Sequence, residues 1–108
     1  MSKSNSFSFP ENVSFNAEAW DDFQALNHSL QIPVVKAICK VAENPRPRPD
    51  GYGKPLAGKL SSYCIIKLRD FGIRIIYRLD PPDSDNMNII IIGMRKDDDV
   101  YDEAMKRI

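Results

Sequence analysis

Residues Gly53–Arg78 read GKPLAGKLSSYCIIKLRDFGIRIIYR, and the fold turns on how this stretch is read. It divides into a glycine-broken loop, a strand over Ser62–Leu68, a turn at Asp70-Phe71-Gly72, and a partner strand over Ile73–Leu79. Alternation puts Lys67 and Arg69 on one face of the first strand and Ile66 and Leu68 on the other. In the second strand Arg74, Ile76 and Arg78 alternate with Ile73, Ile75 and Tyr77. The hairpin is half-buried and basic, with Asp70 its single acid. Such a surface suits a polyanion.

The neighbouring segments read as support for this hairpin. Phe7, Phe9, Val13 and Phe15 fall on alternate positions, and Pro10 restricts them to an edge strand or to a start near Glu11. Asn16 is the expected cap of a helix whose apolar face is Trp20, Phe23, Leu26 and Leu30. Asn27–Ile32 reads as a short connection, with His28 at the surface in it. Pro33 opens a second helix that ends at Glu43, because Pro45 forbids continuation. The Pro/Gly-rich stretch Pro45–Gly58 reads as loop throughout. Met87–Gly93 is apolar on both faces and marks the central strand. Lys96–Asp99 reads as a charged turn. Val100–Arg107 is a short terminal helix, capped by Asp98 or Asp99. The expected fold is α+β in β-α-α-β-β-β-α order. A helical hairpin packs on one face of a small, mostly antiparallel twisted sheet, and the opposite face is left open for a ligand.

A chain of 108 residues forms one domain, here residues 1–108, with a modest core. No apolar run approaches the roughly 20 residues that cross a bilayer. The opening MSKSNSFSFP lacks an apolar signal segment, so a cytoplasmic location is expected. Cys39 and Cys64 have no metal spacing and sit in apolar runs, as reduced buried thiols do. The net charge is zero, but it is unevenly spread. Between Arg46 and Arg78, the cations Arg46, Arg48, Lys54, Lys59, Lys67, Arg69, Arg74 and Arg78 face only Asp50 and Asp70. Both flanks are acidic. Phosphate binding is therefore local, and long-range steering toward nucleic acid is weak.

Most enzyme signatures are absent: there is no phosphate-binding glycine loop, no GxSxG and no Cys/His cluster. Asp97-Asp98-Asp99 reads as helix caps and solvated charge rather than a metal site. What remains is Lys67, Arg74, Arg95 and Tyr101. Each alone is an ordinary surface or packing residue. Together they describe RNA cleavage that needs no metal. A lysine or tyrosine helps remove the 2'-hydroxyl proton, arginines neutralise the phosphorane, an acid protonates the 5'-oxygen, and an aromatic ring stacks on a base.

Several segments together resemble the RelE branch of the RelE/ParE toxin superfamily. They are Leu56-Ala57-Gly58-Lys59-Leu60-Ser61-Ser62-Tyr63 with Ile65, then Lys67-Leu68-Arg69 and Gly72-Ile73-Arg74-Ile75-Ile76-Tyr77. Ile92-Gly93-Met94-Arg95 and the ending Val100–Ile108 continue the match, and Phe15–Trp20 matches the family's strand-to-helix junction. The resemblance runs from about Val13 to Ile108. It implies a toxin of a type II toxin–antitoxin pair that cuts mRNA on the ribosome without metal or other cofactor. It further implies a cognate antitoxin as partner, and operator DNA contacted only through the antitoxin complex. By position, Lys67 is the general base or a phosphate clamp and Arg74 stabilises the phosphorane. Arg95 acts at the scissile phosphate, as general acid, and Tyr101 orients the substrate nucleotide. Lys54, Lys59, Arg69 and Arg78 are the expected RNA- and ribosome-binding cations. The chain departs from the family at Ile65, where a second lysine is usual, and in its neutral net charge. A gyrase-binding, ParE-like inhibitor without nuclease activity is the alternative on the same scaffold, and an inactive member kept for operator binding is a third.

Overall fold

The computed structural model describes residues 7–94 and 100–108. One sheet has the strand order β1-β5-β4-β3-β2. The strands are β1 (Val13–Phe15), β2 (Lys54–Pro55), β3 (Tyr63–Leu68), β4 (Ile73–Leu79) and β5 (Met87–Met94). β3, β4 and β5 form the antiparallel meander expected of short turns, and β1 joins β5 in parallel. The helices are α1 (Ala17–Ala25), α2 (His28–Ala42) and α3 (Val100–Arg107). The α+β class and the element order stand, with one addition. β2 lies inside the stretch read as all loop, with Lys54 opposite Ile65 and Pro55 opposite Cys64. Two residues carry no periodicity, and Pro55 is tolerated because β2 is an edge strand.

The run Ile89-Ile90-Ile91-Ile92 serves both faces through a β-bulge. Ile76 pairs with Ile91, whereas Tyr77 pairs with Ile89, so Ile90 is an extra residue. Ile90 and Ile91 then share one face, and Ile89 and Ile92 the other.

The helical hairpin covers the second of these faces. α1 buries Ala19 and Phe23, and α2 buries Val34, Ile38 and Ala42, against Cys64, Ile66, Ile75, Tyr77, Met87 and Ile89. Phe9, Phe15, Trp20 and Phe23 close its edge with ring contacts. Two expectations need correction here. Asn16 occupies the N-cap position of α1, but its side chain does not cap. Its Oδ1 accepts instead from Asn88 Nδ2 at 3.0 Å, tying the helix start to β5. The second helix begins at His28, five residues before Pro33, because Asn27 Oδ1 accepts from the Leu30 N–H at 3.1 Å and caps it. Pro33 therefore sits inside α2, where it forgoes one helical hydrogen bond. Leu30 belongs to α2 rather than α1, and His28 is an exposed first-turn residue stacked on Phe7 at 5.5 Å.

The opposite face of the sheet is not left open, a further correction. α3 lies over it on a second apolar cluster of Leu60, Tyr63, Ile65, Ile76, Ile90, Ile91, Val100 and Ala104. Gly93 makes the close approach possible, since a Cβ there would lie 2.8 Å from Val100 Cγ2. An eight-residue helix does not hold itself in water, so α3 depends on this contact. Arg107 fastens its end. Nη1 donates to Asp22 Oδ2 at 2.7 Å and to the Ile90 carbonyl at 3.0 Å, and Nε donates to Glu103 Oε2 at 3.2 Å. Asp22 Oδ2 also accepts from the Ile92 N–H at 3.1 Å, so one carboxylate bridges α1, β5 and α3. The expected caps Asp98 and Asp99 and the turn before α3 lie outside the described residues.

Candidate functional site

The site grows from the tip of the β3–β4 hairpin. Gly72, with φ of 65°, adopts the left-handed conformation that closes the turn. That turn sets Lys67 directly opposite Arg74, and Arg74 opposite Gly93 on β5. All three lie on the α3 side of the sheet. α3 begins beside Gly93 and delivers Tyr101, whose ring centroid is 5.7 Å from the Arg74 guanidinium carbon. Lys67 is fully exposed, and Arg74 and Tyr101 are half-buried.

β2 adds a second lysine. Lys54 faces Ile65 across the strand pair, so it lies diagonally beside Lys67 on the same face. Lys67 is held below the usual lysine range. Its side-chain contact with Lys54 is the largest cause, followed by the Lys54 charge, with smaller contributions from desolvation, Arg69 and Arg74. A groove of about 270 Å³ at the hairpin tip is lined by Lys67, Arg69, Gly72 and Arg74. A second, of about 250 Å³, runs past the edge of β3 and shares Lys67 and Arg69 with the first, adding Arg48, Tyr52 and Lys54. Among the described residues, no acid forms an ion pair with Lys54, Lys67, Arg69 or Arg74. With Arg48, which has no ion pair among the described residues either, five uncompensated cations surround two connected grooves and suit an anion. Among the described residues no cluster of His, Cys, Asp and Glu is placed to hold a metal ion.

The expected residues separate into two groups. Lys54, Lys67, Arg69, Arg74 and Tyr101 come together. Arg78 does not. It lies four residues along β4 from Arg74, about 13 Å away. There Nη1 donates to the Tyr63 hydroxyl at 3.2 Å and Nη2 lies 3.7 Å from Asp80. Lys59 is exposed on the turn Gly58–Leu60 and lines neither groove. Arg95 lies outside the described residues. Ile65, at the family's second lysine position, is 3% exposed and packs in the cluster beneath α3. The adjacency of Lys54 and Lys67 was not readable from the sequence, because it depends on the register of β2.

No protein-family model matches the chain. No curated protein matches it either. Solved structures do. A double arginine-to-alanine variant of the Escherichia coli toxin RelE in the free state superposes with a TM-score of 0.70 at 28% identity, covering 89% of this chain and 95% of that one. The same variant in complex with a peptide of antitoxin RelB gives 0.64 at 28% identity, over 89% of this chain and 95% of that one. A RelBE toxin–antitoxin complex from Mycobacterium tuberculosis shares the fold, with a TM-score of 0.60 at 21% identity over 86% and 100%. The α+β fold, with a helical hairpin on one face of its sheet and a terminal helix across the other, is that of RelE toxins. The chain is RelE-like.

Proposed function

We propose that this chain is the toxin of a type II toxin–antitoxin pair and a metal-independent, ribosome-dependent endoribonuclease that cuts mRNA in the decoding site. The observation that carries this is the meeting of Lys67 and Arg74 at one cationic groove, with the Tyr101 ring against Arg74 and no acid in an ion pair with either cation among the described residues. The chemistry follows from the residue types. Lys67 Nζ takes the 2'-hydroxyl proton, and the 2'-oxygen attacks the adjacent phosphorus. Arg74 balances the charge of the pentacoordinate phosphate. The P–O5' bond then breaks, leaving a 2',3'-cyclic phosphate and a 5'-hydroxyl. Arg95 protonates the departing 5'-oxygen, and Tyr101 stacks on a substrate base. Lys59, Arg69 and Arg78 contact RNA and ribosomal phosphates. A cognate antitoxin neutralises the toxin, as the RelE variant bound to a RelB peptide suggests, and operator DNA is reached through that complex.

Programmed ribosomes incubated with the protein should yield message cut at the decoding-site codon. Arg74→Ala should lower the single-turnover rate by roughly 10²- to 10³-fold while leaving the fold intact. Intact message with the wild-type protein overturns the reading. Loss of DNA supercoiling by gyrase in the same preparations would favour the ParE-like alternative, which rests on the shared scaffold alone.

A further inference from the structure

β2 is two residues long, and its effect is to place Lys54. The loop leading to it is held by backbone hydrogen bonds. Tyr52 N–H donates to the Asn44 carbonyl, Gly53 N–H to the Arg46 carbonyl, and Arg48 N–H to the Gly53 carbonyl, each at 2.9 Å. Gly53 is buried flush against the sheet, where a Cβ would come 2.7 Å from the Tyr77 hydroxyl and 3.0 Å from the Cys64 sulfur. The next residue therefore cannot drift. Lys54 falls opposite Ile65, and the strand alternation brings it to the same face as Lys67, two residues further along β3. Diagonal neighbours of this kind stand about 7–8 Å apart at the backbone, within reach of two long side chains. Ile65 itself is buried beneath α3 and offers no charge at this point. The cation next to Lys67 comes from the neighbouring strand.

The groups facing Lys67 are Lys54 from β2, Arg69 beyond the end of β3, and Arg74 from β4, with Tyr101 of α3 lying on Arg74. Arg48 and Tyr52 line the same groove on the far side of Lys54. None of these groups is an acid. A second positive charge at Lys67 meets repulsion from Lys54, Arg69 and Arg74, with Lys54 the largest contributor.

We propose that Lys54 is the positioning residue that favours Lys67 as the base: fixed beside it by β2, its ammonium disfavours a second positive charge at Lys67 and so favours the amine that takes the 2'-hydroxyl proton. This rests on the nuclease reading above. The Lys54 charge acts through Lys67 and need not touch the reacting atoms. Because Lys54 is exposed on an edge strand, its replacement does not endanger the fold.

Two measurements on the full chain test it. In the free protein, the Cε resonance of Lys67, assigned with Lys67→Arg, is titrated by 13C NMR. Lys54→Met should move the Lys67 midpoint up toward that of an ordinary lysine. Lys54→Arg should keep it low, and Lys36→Met, an exposed cation on α2, should leave it unchanged. On programmed ribosomes, Lys54→Met should cut the single-turnover rate at pH 7 by up to roughly 10²-fold. The deficit should close as the pH is raised, with the half-saturating concentration unchanged. An unmoved Lys67 midpoint in Lys54→Met overturns the proposal, whatever happens to cleavage. So does a rate loss equal at every pH with weaker saturation, the mark of a plain phosphate contact. Intact message with the wild-type protein sinks the nuclease reading and the base role with it. A midpoint that still moves would then record charge coupling between the lysines without catalysis.

Discussion

Gly93 decides how near α3 can come to the site. It stands opposite Arg74, and Val100 of α3 occupies the space its side chain would fill. Any larger residue pushes the start of α3 outward and carries Tyr101 away from the Arg74 guanidinium. Gly93→Ala should therefore cost about 1–3 kcal/mol, the range for overpacking a tight contact, as read from urea unfolding. The amides of α3 should also exchange faster than those of β4. Unchanged exchange in α3 would mean that the helix start tolerates the methyl group. That Lys67 and Arg74 share a face needed only strand alternation, visible in the sequence; that α3 lies over that face and sets Tyr101 against Arg74 did not follow from it. Lys54 needed register as well. No rule of composition shows that a two-residue edge strand will set it beside Lys67.

α3 is an element held by its ends. Val100 and Tyr101 meet the sheet at Gly93 and Arg74, and Arg107 meets Asp22, Glu103 and the Ile90 carbonyl. The Arg107 side chain is only 10% exposed, so its charge relies on these partners. Arg107→Met should destabilise the protein by about 1–3 kcal/mol, with hydrogen exchange rising first in α3 rather than in β3–β5. Uniform loss across the sheet would show that α3 does not open separately. The sequence disclosed α3 through its composition and its span. What α3 covers was hidden, because the bulge at Ile90 redirects side chains that strict alternation would send to the other face. The start of α2 was misread for a similar reason. Pro33 looked like a first helical residue, while the true signal was Asn27, whose cap needs no apolar periodicity.

Across the whole molecule, zero net charge conceals a sorting of charge. Arg107 takes up Asp22, Glu18 and Glu103; Arg46 takes up Asp85; Arg78 takes up Asp80. The acids of the flanks thus neutralise cations away from the hairpin tip and leave the site cations uncompensated. The core carries its own pH response. Burial, and then the neighbouring Cys64, push the Tyr77 hydroxyl far above the usual tyrosine range, and burial also raises Cys64. Both groups are acids favoured neutral by folding. Their contribution is complete below the unfolded-state values, about 8.5 for the thiol and about 10 for the phenol, and is lost as pH rises past them. The urea midpoint should therefore hold steady near neutrality and fall above about pH 9. Tyr77→Phe should flatten that fall while costing about 1 kcal/mol at pH 7, since its hydroxyl donates to the buried Pro45 carbonyl at 2.9 Å. An equally steep fall in the variant would remove Tyr77 from the explanation. The central claim is that the cation cluster drives attack by the message's own 2'-hydroxyl, and the ends of the cut RNA test it most directly. Message cleaved on programmed ribosomes should carry a 2',3'-cyclic phosphate on the upstream fragment and a 5'-hydroxyl on the downstream one. A 3'-hydroxyl with a 5'-phosphate, or no cleavage at all, would contradict it.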